Sequence, residues 1–205
     1  MTLKLLAEQP ERLWRFLGLF QPPCLRVLHA LIISFVLLQF FSSWLMVPGS
    51  FTAWIHMWSG ATLCLLAVVQ TTYSIRLRGL RHFFPYLWGD VDILKHDIRE
   101  SLHFKMVPPR PKGLGAVVQG LGLGALCLTA FTGLIWFWLW QTGSAGMEMA
   151  SRIHDAASLL IILYFIGHGG MATLHFIAWQ RHSKMADRHP HDQGSSPSSH
   201  TNGKA

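Results

Sequence analysis

Between Arg26 and Arg76 the chain holds no Asp, Glu, Lys or Arg, and a second run without them lies between Lys112 and Glu148. Soluble globular domains carry about 25% charged residues spread along the chain; here the share is 13%, with 51% hydrophobic residues. The first run is long enough for two membrane spans of about 20 residues each. Val47-Pro48-Gly49-Ser50 divides it, because Pro followed by Gly breaks a helix and forms a tight turn. Spans are therefore expected at 27–47, 52–75, 114–140 and 152–179, the last holding one acid, Asp155, near its start. The alternation of a β-barrel does not appear, so the expected fold is all-α, an integral membrane four-helix bundle.

The charges that remain are lopsided, 17 Lys+Arg against 10 Asp+Glu, a net +7. In a soluble protein this excess would point to nucleic acid; here its location decides its meaning. Four basic residues lie in the N-terminal segment, eight in the 76–112 connection and four from Arg181 onward, whereas the 47–51 turn has none and the 141–152 connection has only Arg152. Sixteen of seventeen thus fall on one side, and the positive-inside rule makes that side, with both termini, cytoplasmic. Trp44, Trp54, Trp58, Trp136, Trp138 and Trp140 gather at the opposite ends of spans I to III, as in an interfacial aromatic belt. Nucleic-acid binding is not expected.

The segments outside the spans are modest. Residues 1–26 form a cytoplasmic N-terminal segment in which 10–20 read as an amphipathic interfacial helix stopped by Pro22-Pro23. These residues lack the short apolar stretch and small-residue site of a cleavable signal peptide. Val91, Leu94, Ile98 and Leu102 recur at helical spacing and predict a short surface helix. Residues 27–179 make the membrane domain, and 180–205, rich in Ser, His, Pro, Gly and Asn after about 183, are expected to be a disordered cytoplasmic tail. The tail histidines His182, His189, His191 and His200 fit a solvated segment better than a metal site. Cys24, Cys64 and Cys127 are too far apart for a CxxCH haem attachment or a zinc motif.

Five histidines, His29, His56, His154, His168 and His175, lie inside the spans, where ionisable residues are costly and usually functional. One membrane histidine alone is as well explained by a hydrogen bond between helices. As a set they pair by depth. His154 and His168 are fourteen residues apart on span IV, which is about 21 Å along the axis and nearly the same face. His154 matches the depth of His56, and His168 that of His29, giving two bis-histidine sites stacked one over the other. His175 competes with His168 but lies about 36 Å into the span, at or beyond the inner interface.

A site of two histidines suits zinc poorly, since zinc needs three or four protein ligands. Copper(I) accepts two histidines but favours Cys or Met among its ligands. Haem brings four equatorial nitrogens and needs only two axial ligands from facing helices, so two b-type haems are the economical reading. A flat macrocycle also needs small neighbours: Gly60 follows His56 by one turn, Gly167, Gly169 and Gly170 flank His168, and Gly115, Gly120, Gly122, Gly124 and Gly133 lie on span III. For Gly120 and Gly124, plain close helix packing explains the spacing equally well. Arg26, one turn before His29, and Arg152, just before His154, are candidates to pair with haem propionates, against a simpler role at the membrane interface.

With one His in span I (Leu28-His29-Ala30), one in span II (Ile55-His56-Met57) and His154 with His168 in span IV, the chain resembles the four-helix di-haem cytochrome b family. That family includes bacterial cytochrome b561, the membrane cytochrome b of nickel–iron hydrogenases and the gamma subunit of formate dehydrogenase N. The resemblance covers about residues 20–180. It implies His56 with His154 as axial ligands on the outer side and His29 with His168 on the inner side, in a multi-pass protein of the bacterial inner membrane.

The resemblance also implies an electron-transfer subunit of the respiratory chain, meeting the quinone pool at the inner haem and a redox partner at the outer one. That partner would be an iron–sulfur subunit, as in the hydrogenase and formate dehydrogenase types, or a c-type cytochrome. By sequence order His103, Lys105, Arg110 and His175 are donors available to a quinone, though each also fits a solvated or headgroup contact. An alternative from the same family is a stand-alone superoxide-oxidising enzyme. Its anionic substrate would find only Arg152 on the outer side, so support for it is weak. A haem-free anchor would leave four depth-matched histidines unexplained. No catalytic triad, nucleotide-binding loop or hydrolytic activity is expected.

Overall fold

The computed structural model describes residues 2–47, 49–103, 105 and 107–188. Among them there are seven α-helices, one 3-10 turn and no strand. Helix α1 is Thr2–Gly18, α2 Pro23–Trp44, α3 Phe51–Arg78, α4 Leu80–Phe83, α5 Asp92–Leu102, α6 Leu114–Gln141 and α7 Met147–Arg188, with the 3-10 turn at Pro85–Trp88. Four of these have the length and apolarity to cross a membrane: Pro23–Trp44, Phe51–Arg78, Leu114–Gln141 and Met147–Arg181. The chain is thus an all-α integral membrane bundle of four spans.

The pair Pro22-Pro23 does not stop the first helix. α1 already ends at Gly18, and Pro23 instead starts α2, where its missing N–H costs nothing and its fixed φ suits a first turn. The turn between α2 and α3 is fastened by side chains. Ser50 Oγ accepts the Ala53 N–H at 3.3 Å, and Thr52 Oγ1 donates to Leu45 O at 2.8 Å. Pro48 lies outside the described residues. α3 stops at Gly79, whose φ of +80° is open to glycine without strain. α7 continues to Arg188, so the first residues of the expected tail are helical; His189, His191 and His200 lie outside the described residues.

The four spans pack in chain order, α2 on α3, α3 on α6 and α6 on α7. Leu28, Ile32, Val36, Leu63, Ala67 and Leu126 form the core between the first three. Leu65, Leu121, Leu163 and Ile166 are exposed on the outside, the arrangement of a bundle whose solvent is lipid. The fourth side of the ring, between α2 and α7, has no comparable backbone packing. Aromatic rings bridge this seam instead: Phe40 and Phe165 stand 6.1 Å apart, centre to centre. α1 lies across one end of it, with buried Phe16 5.5 Å from Phe176 and 5.6 Å from Trp179.

The two ends of the bundle differ. The turn end has only the short connections 45–50 and 142–146, with Trp54 and Trp140 in edge contact at 6.2 Å. The terminal end carries α1, the C-terminal part of α7 and the folded 79–113 connection. There Phe83 is fully buried, and a Cβ on Gly120 would come within 2.8 Å of it, so Gly120 admits α4 against α6. The surface helix appears as α5, but the side chain it buries is Asp97, not the apolar row: Ile98 and Leu102 are exposed. The Asp97 carboxylate accepts from the Arg110 guanidinium and, at 2.9 Å, from the Leu114 N–H. It thereby ties α5 to the first turn of α6, where the helix dipole favours an anion.

Candidate metal centres at two histidine pairs

At the turn end a cavity of about 400 Å³ opens between α2, α3, α6 and α7, and His56 and His154 both line it. Their ring protons can be assigned from their neighbours. His154 Nδ1 lies 3.1 Å from Thr129 O, and a carbonyl only accepts, so the proton is on Nδ1. Ser42 Oγ sits 3.0 Å from His56 Nδ1 and donates its own proton to Leu38 O at 2.7 Å, which leaves it to accept from His56. In both rings Nε2 therefore keeps its lone pair, the state a metal ligand needs. Gln39 Nε2 donates to His56 O at 3.0 Å and to Ser59 Oγ at 2.7 Å, bracing α3 behind its histidine. A Cβ on Gly133 would lie 2.8 Å from His154 Cε1, so α6 gives way to this ring.

At the terminal end His29 and His168 face each other across the α2–α7 seam, with ring centres 6.4 Å apart and planes at 87°. Two metal–nitrogen bonds of about 2.0 Å, plus about 1.1 Å from each nitrogen to its ring centre, come to about 6 Å. The spacing fits one metal atom held between the rings. No hydrogen bond to either ring is found among the described residues; His168 instead stacks on Tyr164, with centres 4.9 Å apart and planes at 9°. A Cβ at Gly167, Gly169 or Gly170 would meet nothing within 4 Å, so α7 has open space around His168.

Haem fits this donor set. Among the described residues no three His, Cys, Asp or Glu side chains come together, so each pair offers two such ligands, the number that a haem, which brings four nitrogens of its own, requires. The terminal half also holds buried polar atoms without partners among the described residues: Gln21 Oε1, Arg26 Nε, Gln70 Oε1 and Ser74 Oγ. Such atoms cost about 1–3 kcal/mol each unless a bound group or water satisfies them.

The remaining candidates are placed as follows. Arg26 donates to Trp14 O at 3.1 Å and lies 4.9 Å over the Trp14 ring. Arg152 is exposed and pairs with Glu148 at 2.8 Å. His175 does not face His29: its Nδ1 is 2.9 Å from Met171 O and its Nε2 3.4 Å from Val107 O. Lys105 pairs with Glu100 at 2.8 Å, and Arg110 is taken by Asp97. Sequence reading passed over Ser42, Thr129 and Tyr164. For Ser42 the available signal was a hydroxyl set within an apolar run and, for Tyr164, its place one helical turn before His168; Thr129 acts through its backbone carbonyl, which leaves no signal in the residue type.

Comparison with known proteins gives one match. The family described as prokaryotic cytochrome b561 matches residues 21–186, which takes in all four spans and all four paired histidines. No curated protein and no solved structure matches the chain. Four apolar helices of membrane length and a family match over most of their extent lead to one conclusion: the chain belongs to the prokaryotic cytochrome b561 family, multi-pass membrane electron-transfer proteins that bind haem b.

Proposed function

We propose that the chain binds two haem b groups, one between His56 and His154 and one between His29 and His168, and carries electrons across the membrane between the quinone pool and a redox partner. The observation that supports this most is the pairing itself: two rings of one pair with free Nε2 atoms, and two rings of the other at the spacing of a shared metal. When bound, the haem iron supplies reversible one-electron oxidation and reduction. The chain does the rest. Ser42 and Thr129 orient the turn-end imidazoles and hold a proton on each Nδ1. Phe40 and Phe165 fill the seam with apolar surface and exclude water. Arg26, whose Nε–H is buried without an acceptor, is the donor available to a propionate at the terminal end. Arg152 can serve the turn end by exchanging Glu148 for a propionate.

The basic-residue count supports a cytoplasmic terminal end and a bacterial inner-membrane location, with residues 27–179 as the cytochrome domain between a short N-terminal segment and a C-terminal tail. On this reading the quinone is met at the terminal end, and an iron–sulfur subunit or c-type cytochrome at the turn end, where short connections leave the cavity within reach of a docked protein. Superoxide oxidation is less favoured. Asp155 lines the cavity, and its carboxylate repels an anion. Purification in mild detergent with haem quantitation tests the reading. Two haems b per chain are expected, and one would end the two-site scheme. A partner-free preparation that consumes superoxide would favour the alternative.

A further inference from the structure

We propose that Tyr164 is a positioning residue for His168: stacked face to face on the imidazole, it sets the plane of that ring and hence the near-perpendicular arrangement of the His29–His168 pair. The inference rests on the reading that these two histidines are the axial ligands of one haem.

An imidazole bound to a metal through one nitrogen can still turn about that bond, and ligating histidines are ordinarily fixed by a hydrogen bond from the other ring nitrogen. His154 has such an anchor in Thr129 O, and His56 in Ser42 Oγ. His168 has none among the described residues. What it has is Tyr164, four residues earlier and so on the same helical face, with the rings 4.9 Å apart and 9° from parallel. Tyr164 also meets α6. A Cβ added to Gly122 on α6 would run into the Tyr164 ring carbons and hydroxyl, so the α6 backbone packs directly on that side chain. The Tyr164 ring thus meets both the α6 backbone and the His168 ring. Rotating His168 out of its plane breaks the stack, and Gly122 blocks Tyr164 from moving toward α6.

The angle between the ligand planes, 87° here, can be read directly, because it governs the ferric low-spin EPR spectrum of a bis-imidazole haem. The full chain is purified with its haems in four variants beside the parent protein: Tyr164→Phe, Tyr164→Leu, Gly122→Ala and His168→Ala. Haem content, EPR spectra and redox titrations are recorded for each. Tyr164→Phe keeps the stack and should leave both low-spin signals in place. Tyr164→Leu removes it, and should move one signal and one midpoint potential while those of the His56–His154 haem stay where they are, which also controls for folding. Gly122→Ala should move the same signal by displacing Tyr164, and decides the matter alone if Tyr164→Leu does not accumulate. Unchanged spectra in Tyr164→Leu or Gly122→Ala, an equal change at both haems, or a Tyr164→Phe shift as large as that of Tyr164→Leu would overturn the proposal. Full haem content in His168→Ala would instead remove the ligand assignment beneath it, a separate failure with a separate readout.

Discussion

The two histidine pairs occupy the same bundle but are held by different means. At the turn end, polar atoms do the work: Ser42 and Thr129 grip the rings, Gln39 braces α3, and a cavity of about 400 Å³ stands open between them. At the terminal end no hydrogen bond to either ring is found among the described residues; His168 stacks on Tyr164 and faces His29 across a seam that backbone packing does not close. Hydrogen bonds fix a ring's tautomer as well as its direction, whereas stacking fixes its plane and leaves the proton free to choose. One chain thus carries a directed site and a packed one, and changes that leave haem bound should affect them differently.

The largest effect expected is from the histidines themselves. If the two pairs each hold a haem as proposed, replacing His56 or His154 by Ala should remove one haem and leave the other spectrum intact, and replacing His29 or His168 should do the reverse, measured by haem content per chain. If one substitution removes both haems, the two regions are not independent.

Next in size is Asp97→Asn. It weakens a buried carboxylate's contacts with Arg110 and the Leu114 N–H and should cost about 3 kcal/mol at the terminal end, seen as lower thermal stability. Burial alone would raise the Asp97 pKa, but the Arg110 guanidinium and the Leu114 N–H outweigh it and hold the carboxyl below its ordinary value. The unfolded chain then binds this proton more readily than the folded one. The stabilisation is present above about pH 4 and is lost as the pH falls through the lower folded value. Acid should therefore loosen the terminal end first, with the His29–His168 spectrum changing before the other.

Gly133→Ala sets a Cβ against His154 Cε1 and should cost about 1–3 kcal/mol, with weakened haem retention at the turn end alone in a denaturant titration. Ser42→Ala frees His56 Nδ1 and should cost about 1 kcal/mol by the same measurement, with a shift of one midpoint potential. The smallest effect is His175→Ala, which should leave haem content unchanged, because that ring faces Met171 O and Val107 O. Loss of haem here would transfer the terminal-end ligand from His168 to His175.

Much of the architecture could be read from residue types alone. The uncharged runs locate four spans within a few residues of the observed helices, since the cost of a charge in lipid falls on each residue wherever its neighbours lie. The errors come where one helix must choose between partners. Pro22-Pro23 marks a boundary in either reading, but whether it stops one helix or starts the next depends on Gly18 ending α1 earlier. The spacing of Val91, Leu94, Ile98 and Leu102 marks the surface helix α5 but not what it buries: Asp97 is the residue turned inward, because Arg110 and the open first turn of α6 await it there. The glycines of α6 looked alike in sequence. They separate only in space, Gly120 admitting Phe83, Gly122 admitting Tyr164 and Gly133 admitting His154.

The sequence by itself determined how many times the chain crosses the membrane and at what depth each histidine lies, because hydrophobicity belongs to single residues and depth is a count of residues at about 1.5 Å each. Only the tertiary structure decided how the paired rings are turned, which nitrogens of His56 and His154 keep their protons, and which side of the bundle stays open. Those properties depend on the rotation of each helix about its own axis and on what its neighbours offer in return, and no count along the chain contains them.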